Sequence, residues 1–444
     1  MQLYSTNNTN VRVSFKEAVF NSMPEDQGLY MPTVIPDLSN DPTRSGTRDP
    51  DFISNIEHYS FPEIAFQVAW ALLGDDIPAP ELRKLVEEAI NFEAPVVKLD
   101  TQTFVLELFH GPSLAFKDFG ARFMSRVMGY FLKDGEQLLD VLVATSGDTG
   151  GAVALGFLGV PNTRVTILFP KGKVSEVQRL QLTTNGANIR AIAVDGTFDD
   201  CQALVKQAFA DEELNRHFRL TSANSINIAR LIPQTFYYFN AYAQLKRQGY
   251  NDVAFVVPSG NFGNIGAGLF AAKMGLPVKQ FVAATNANDT VPRFLQSGVY
   301  EARPSVQTYA NAMDVGAPSN WVRIMDLFHG DQEALKEKVS AFRFTDEDTL
   351  KGMHALDEQF TYIACPHTAI AYLGARAYQQ QHPEDTSTAT VFLSTAHACK
   401  FPGIASAPVE LPEQVKSLYQ KEEVYSESGN DFEGFKAYLL ANKE

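Results

Sequence analysis

Residues 253–268 read VAFVVPSGNFGNIGAG, and this stretch decides the fold. Its opening run of Val, Ala and Phe is too short for a helix and predicts a strand buried on both faces. Pro258 ends the run. Ser259, Gly260, Asn261, Phe262, Gly263 and Asn264 follow, and Ile265, Gly266, Ala267 and Gly268 then open a helix. Successive glycines permit a nest of backbone N–H groups with a helix dipole behind it, which suits an anion. No Lys-Ser/Thr pair follows the last glycine, so this is not a nucleotide P-loop. The spacing is not GxGxxG and no strand-end acid is placed to hold a ribose. The loop is therefore expected to bind one phosphate group rather than a nucleotide, with a ligand-free tight turn as the plain alternative.

Working outward, five further runs share the composition of this strand: DVLVATS (140–146), RVTILFP (164–170), IRAIAV (189–194), FVAATN (281–286) and TVFLST (390–395). Helix-like stretches such as 174–186 and 200–214 separate them. Alternating strand and helix predicts an α/β fold with parallel sheets covered on both faces. The runs fall in two groups, 140–194 and 253–395, which predicts two α/β units. Ligands in such sheets bind beyond the carboxyl ends of the strands. The first hundred residues differ: 61–73 and 80–92 carry helical apolar spacing, and a polar loop spans 39–51.

The chain has 444 residues, 45% of them apolar and 20% charged, which excludes disorder as the dominant state. At about 150 residues per domain, it exceeds one small domain. Lys and Arg number 37 against 52 Asp and Glu, a formal charge of −15. That balance argues against nucleic acid, which needs a basic face. A small phosphorylated ligand would need a local positive pocket working against the global field. Three cysteines, Cys201, Cys365 and Cys399, form no CxxC pair, so a reducing compartment is expected and a disulfide framework is not. The eight histidines make no metal-binding spacing. No secretory pattern opens the sequence, and no run approaches the roughly 18 apolar residues of a membrane span. A cytoplasmic protein with no metal and no membrane partner is the expectation.

Four further segments carry candidate chemistry. In VLVATSGDTGGAVALGF (141–157) a predicted strand runs into Ser146, Gly147, Asp148, Thr149 and Gly150 at the start of a helix, where free N–H groups and hydroxyls suit a carboxylate or phosphate. A capped, glycine-packed helix start would look the same. In HGPSLAFKDFGARFM (110–124) Lys117 stands among apolar side chains. Dehydration lowers a lysine pKa and favours the nucleophilic free amine. Periodicity alone would instead put Lys117 on the wet face of an amphipathic helix. In SANSINIARLIPQTFYYF (222–239) Ser225, Asn227 and Arg230 could clamp an anion, or simply start a solvated helix capped by Asn224 or Ser225. The end of the 390–395 run delivers Ser394 and Thr395, then His397 and Lys400, a weak signal by itself.

Taken in order, HGPSLAFKDFGARFM, ATSGDTGGA, NSINIAR, PSGNFGN and STAHACKF resemble the threonine synthase family of fold-type II pyridoxal-phosphate (PLP) enzymes. The segments 13–32 and 311–321 resemble its longer, bacterial and fungal-type members, so the likeness spans nearly the whole chain. The resemblance implies residues 1–95 as a mostly helical N-terminal region, 96–130 with 225–444 as a larger PLP-binding α/β unit, and 131–224 as a smaller one. It implies that Lys117 forms the Schiff base with PLP and acts as the acid and base. It implies that Gly260, Asn261, Phe262, Gly263 and Asn264 cradle the cofactor phosphate, and that Thr395 meets the pyridine nitrogen. Ser146, Gly147, Thr149 and Gly150 would hold the substrate carboxylate, with Asp148 approaching the cofactor's 3′ oxygen. Many relatives carry Asn at the position of Asp148, and an Asp is expected where Cys365 stands. The implied reaction converts O-phospho-L-homoserine and water to L-threonine and phosphate by β,γ-elimination and replacement. Asn227 and Arg230, with Ser225, are the expected pocket for the substrate phosphate. The implied assembly is a monomer or homodimer. A PLP-dependent lyase or dehydratase acting on threonine, serine or phosphohomoserine is the competing enzyme, and a PLP- or metabolite-binding protein without catalysis is the competing non-enzyme.

Overall fold

A computed structural model of the chain describes residues 1–39, 51–132 and 138–443. The long β-rich runs become strands close to their expected limits. Val253–Pro258 lies at the centre of a six-stranded sheet, with Gln280–Thr285 and Val339–Arg343 on one side and Ala389–Ser394, Thr103–Glu107 and Val96–Lys98 on the other. Every pairing is parallel except the Val96–Lys98 edge, which returns antiparallel to Thr103–Glu107. A second, wholly parallel sheet orders Ser426–Ser428, Ile189–Val194, Thr163–Pro170, Leu139–Ala144 and Arg219–Ser222. The central strands are buried along their whole length, because helices cover both faces and no polar alternation is needed.

One helix, Ile228–Arg247, runs through the middle of the molecule and is buried almost continuously from Ile228 to Leu245. It packs against Phe61–Leu73, Lys117–Phe131 and Gly263–Lys273. Phe119 with Tyr237 and Phe123 with Phe236 meet there edge to face, and Tyr237 packs on Tyr238 at a tilt. Each such ring brings roughly 1.5–3 kcal/mol of burial, so the helices behind the site are held as one block.

Four features depart from the sequence reading. The region 1–95 also carries a small antiparallel sheet, Val13–Ser14, Gln2–Ser5 and Tyr30–Pro32, whose strands are too short to show a period. Residues 225–444 do not all accompany the larger sheet. Ser426–Ser428 pairs with Ile189–Val194, and Phe432–Ala441 packs its Phe435 and Leu439 into the core of the smaller sheet. The 200–214 segment is two helices, Phe198–Ala210 and Glu212–His217, because the Asp211 side chain accepts from Leu214 N and caps the second. Finally, Arg219–Ser222 and Val339–Arg343 are strands without an apolar run to announce them. The polar loop at 39–51 lies almost wholly outside the described residues. Among the described residues, no helix is long and apolar enough to cross a membrane.

Candidate active site

The carboxyl ends of both sheets converge, and the chemistry-bearing segments leave from those ends. The segment after Thr103–Glu107 carries Lys117 as the first residue of the helix Lys117–Phe131. It is laced to the end of Ala389–Ser394. Phe116 N donates to Thr395 O at 2.8 Å, His397 N donates to Leu114 O at 3.0 Å, and Ala115 bridges Ala396. Leu114 takes a left-handed φ of 59°, a conformation a leucine avoids unless its surroundings impose it. The lacing puts Lys117 and Thr395 beside each other. The Lys117 amine sits 4.3 Å from the centre of the Phe116 ring. Burial brings its pKa down to about 8; Arg230 pushes the same way and Asp148 opposes. The amine is thus dehydrated, although the residue as a whole is only partly buried.

The glycine loop folds as strand, turn and helix. Phe262 is left-handed with φ 57° and precedes the helix Gly263–Lys273. Among the described residues, the N–H groups of Asn261, Phe262, Gly263, Asn264 and Ile265 find no acceptor. They form the nest that the sequence suggested. Gly260 has a second cause. A Cβ there would lie 2.6 Å from Met313 Cα, because the 311–321 segment folds directly over the turn. Asn261 ties that segment down: its Oδ1 accepts from Ser319 N at 2.6 Å and its Nδ2 donates to Ser225 Oγ at 2.7 Å. Those two bonds fix the Asn261 side chain and leave its Nδ2 one further N–H to donate. Asn264 Oδ1 accepts from Tyr237 and Tyr238, at 2.6 and 2.7 Å, and its buried Nδ2 has no partner.

The Ser146–Gly150 turn follows Leu139–Ala144. Thr145 Oγ1 accepts from Gly147 N at 2.9 Å and Gly150 N at 2.8 Å, which closes the turn. Gly147, with φ 133°, admits no side chain, since a Cβ would meet Gln178 at 2.4 Å. The N–H groups of Ser146, Asp148 and Thr149 are unclaimed among the described residues. The Asp148 side chain, however, turns away to Lys400 Nζ at 2.7 Å and Gln178 Nε2 at 2.9 Å. Burial raises its pKa, but the Lys400 ion pair and the Gln178 amide outweigh that and hold the carboxyl below its usual range.

The expected clamp at Ser225, Asn227 and Arg230 divides in two. Asn227 is fully buried: its Oδ1 caps the central helix at Ala229 N, and its Nδ2 donates to Val19 O at 2.8 Å and Ser22 Oγ at 3.1 Å. Its polar capacity is spent inside the protein, so it is removed from the substrate set. Arg230 is 2% exposed and donates through one terminal nitrogen to Ala223 O. Its Nε lies 2.6 Å from the place of a Cβ on Gly120 and has no partner. Burial lowers its pKa to about 10, opposed by Asp118. Ser225 Oγ accepts from Asn261 and Asn320, which places it between this turn and the glycine loop.

Four groups in the site went unassigned at the sequence level. Asp118 is buried beside Lys117, accepts from Ser113 N at 2.9 Å, and is pushed up to about 6 by burial. Lys400 is fully buried and donates to Ser113 O at 2.9 Å as well as to Asp148. Gln178 lines the Ser146–Gly150 turn. His367, lowered to about 4 by burial, is a neutral imidazole at pH 7. Its Nε2 accepts from Ala312 N at 3.2 Å, so it helps hold the 311–321 segment over Gly260. Cys365 stands at the N-cap position of the helix Pro366–Gln381 without a side-chain capping bond; its Sγ lies 3.2 Å from Thr368 Oγ1, which lies 2.9 Å from Ser394 Oγ. No signal short of the fold marks Lys400, Gln178 and His367, because each reaches a residue distant in sequence.

Comparison with known proteins agrees with this geometry. The pyridoxal-phosphate dependent enzyme family profile matches residues 91–395, and profiles for the threonine synthase N terminus and C-terminal region match residues 2–90 and 368–439. A threonine synthase of Haemophilus influenzae is 43% identical over 446 residues, covering 99% of this chain and 100% of the relative. The crystal structure of threonine synthase from Escherichia coli superimposes with a TM-score of 0.89 at 40% identity, over 99% of this chain and 100% of that one. That of PLP-bound threonine synthase from Brucella melitensis gives 0.91 at 34% identity, with 100% of both chains covered. The chain belongs to the threonine synthase family of fold-type II PLP-dependent enzymes.

Proposed function

We propose that this chain converts O-phospho-L-homoserine and water to L-threonine and phosphate, with Lys117 as its acid and base. The observation that carries the reading is a dehydrated amine laced to a strand-end hydroxyl, in a chain whose glycine loop presents unclaimed N–H groups. The residues fit PLP on three counts. Lys117 Nζ, with its lowered pKa, is the nucleophile that would hold the aldehyde. The N–H groups of 261–265 are a cradle for one phosphate, and the orphan Asn264 Nδ2 adds a donor beside it. Thr395 offers a hydroxyl that has no partner among the described residues, where the pyridine nitrogen would need one. When bound, PLP supplies an electron sink for charge developed at the substrate's α carbon.

The chain's own residues then divide the work. The unclaimed N–H groups of Ser146, Asp148 and Thr149 would receive the substrate carboxylate, with the helix Asp148–Phe157 behind them. That anchoring leaves the α proton facing the amine. Lys117 Nζ takes it once released from the aldehyde, and can remove a β proton and return one to the γ carbon because its pKa lies near neutrality. Arg230 and Ser225 would form the second anion pocket, for the phosphate that leaves. Asp118 would stay close to Lys117 as a buried acid of weak charge.

The charge balance favours a phosphorylated substrate over an uncharged one. Arg230 and Lys400 keep their charge when Lys117 holds the cofactor; Asp148 offsets Lys400, and Arg230 Nε has no partner among the described residues. That local positive pocket stands inside a chain with a formal charge of −15. The test is an absorbance spectrum with borohydride labelling, followed by product analysis. Lys117 should carry the label, and Lys117→Ala should lose the band expected at roughly 410–420 nm. Threonine and phosphate from phosphohomoserine support the proposal. A keto acid with ammonia would indicate the lyase instead, and no label at Lys117 would overturn both.

A further inference from the structure

The turn that would receive the substrate carboxylate contains a carboxylate of its own. Asp148 is the first residue of the helix Asp148–Phe157 and is buried. Left uncompensated, its charge would stand at the same N–H groups as the incoming anion and repel it. The compensating charge comes from the other sheet. Lys400 ends the short turn Ala398–Lys400 that follows the strand Ala389–Ser394. Its Nζ reaches Asp148 Oδ1 at 2.7 Å and Ser113 O at 2.9 Å, and the same Ser113 carbonyl accepts from Gln181 Nε2 at 3.0 Å. One buried ammonium thus joins the carboxylate turn to the segment that leads into Lys117.

The other groups facing Asp148 cannot replace it. His367 is neutral, because burial holds it at about 4. Cys365 and Cys399 are pushed upward by burial and stay protonated. Lys117 surrenders its charge when it holds the cofactor. Gln178 Nε2 offers Asp148 a hydrogen bond but no charge.

We propose that Lys400 is a positioning residue for the reaction: it cancels the Asp148 charge, so that the turn presents the substrate carboxylate with N–H groups and a helix dipole alone, and it fixes that turn against the Lys117 segment. The proposal rests on the reading of this turn as the carboxylate subsite.

The experiment compares Lys400→Met, Asp148→Asn and the double variant. Three quantities are measured from about pH 6 to about pH 9: kcat and KM for O-phosphohomoserine, the inhibition constant of L-homoserine, and the melting temperature. L-Homoserine carries the carboxylate without the phosphate, so it reports on this subsite and not on the Arg230 pocket. Lys400→Met should raise both KM and the homoserine constant by at least about tenfold, with a smaller change in kcat. The defect should grow with pH, because burial without the Lys400 partner raises the Asp148 pKa and its repelling charge develops as pH rises. The double variant should recover most of the loss, lose that pH dependence, and melt above either single variant. A double variant no better than Lys400→Met, or unchanged constants in Lys400→Met, would overturn the proposal. If Lys400→Met does not fold, Asp148→Asn and the double variant decide through their melting temperatures: the double should be the higher, and equal values overturn the compensation. Should the wild-type chain form no threonine, it is the functional reading that fails, and those melting temperatures still judge the pair.

Discussion

Phe116 donates its backbone N–H to the carbonyl of Thr395 at 2.8 Å, and the lysine and the hydroxyl at the heart of the site are neighbours for that reason. The bond belongs to a short lacing between 114–116 and 395–397 that forces Leu114 into a left-handed turn. Two groups almost three hundred residues apart in sequence are thereby fixed by main-chain geometry, which side-chain substitution does not disturb. Variants at Lys117 or Thr395 should accordingly fold.

The lowered pKa of Lys117 predicts the pH dependence of cofactor uptake by the protein stripped of PLP. Only the uncharged amine attacks an aldehyde. The uptake rate should fall about tenfold per pH unit below about pH 8 and level off above it. Stopped-flow absorbance at the Schiff-base band measures this. A profile that still rises at pH 10 would mean the amine is hydrated like an ordinary lysine.

Arg230→Ala should raise KM for phosphohomoserine by the equivalent of about 2–3 kcal/mol, the cost of losing a charged contact to the phosphate. The inhibition constant of L-homoserine should change far less. Steady-state kinetics with both compounds separates the phosphate pocket from the carboxylate turn. Equal losses for both would assign Arg230 to the shared framework instead.

Asn227→Ala should behave differently. It strands Ala229 N and the carbonyls of Val19 and Ser222, and it uncaps the central helix. A stability loss of about 2–3 kcal/mol is expected in urea unfolding. KM should remain near that of the wild type. A large rise in KM with unchanged stability would return Asn227 to the substrate set.

Asp118 makes a prediction about stability and pH. Its pKa is raised to about 6 in the folded protein, above the value of about 3.9 in an unfolded chain. The folded state therefore holds this proton more tightly, and the ionised group weakens the fold as pH rises through that window. Asp118→Asn should gain stability relative to the wild type by up to about 2–3 kcal/mol between pH 4 and pH 7. Chemical denaturation at the two pH values tests the sign. A gain in the opposite direction would show that the carboxylate is stabilised by partners stronger than its hydrogen bond from Ser113 N.

The parts legible in sequence were those whose cause is local. A strand covered on both faces must be a contiguous apolar run, so Leu139–Ala144 and Val253–Pro258 announce themselves, and so do the turns that follow them. The N-terminal helix Phe61–Leu73 showed its apolar spacing with equal clarity. Polar clusters were less readable. Asn227 and Ser225 look alike in the sequence, yet one spends its amide on the Val19 carbonyl and the Ser22 hydroxyl and the other lies beside the glycine loop. The Asp148–Lys400 pair was invisible because nothing near either residue specifies the other. The strand Ser426–Ser428 was missed for a simpler reason: three polar residues at a sheet edge need no apolar character.

That last strand has a consequence for how the chain is made. The five-stranded sheet takes four neighbouring strands from the middle of the sequence and its edge from residues 426–428, with Phe435 and Leu439 sealing the core beneath. Ribosomal synthesis runs from the N-terminus, so this unit stays unfinished, with an apolar flank open, until residues 426–439 emerge. Loss of residues 426–439 would therefore cripple a unit whose other strands were synthesised long before them.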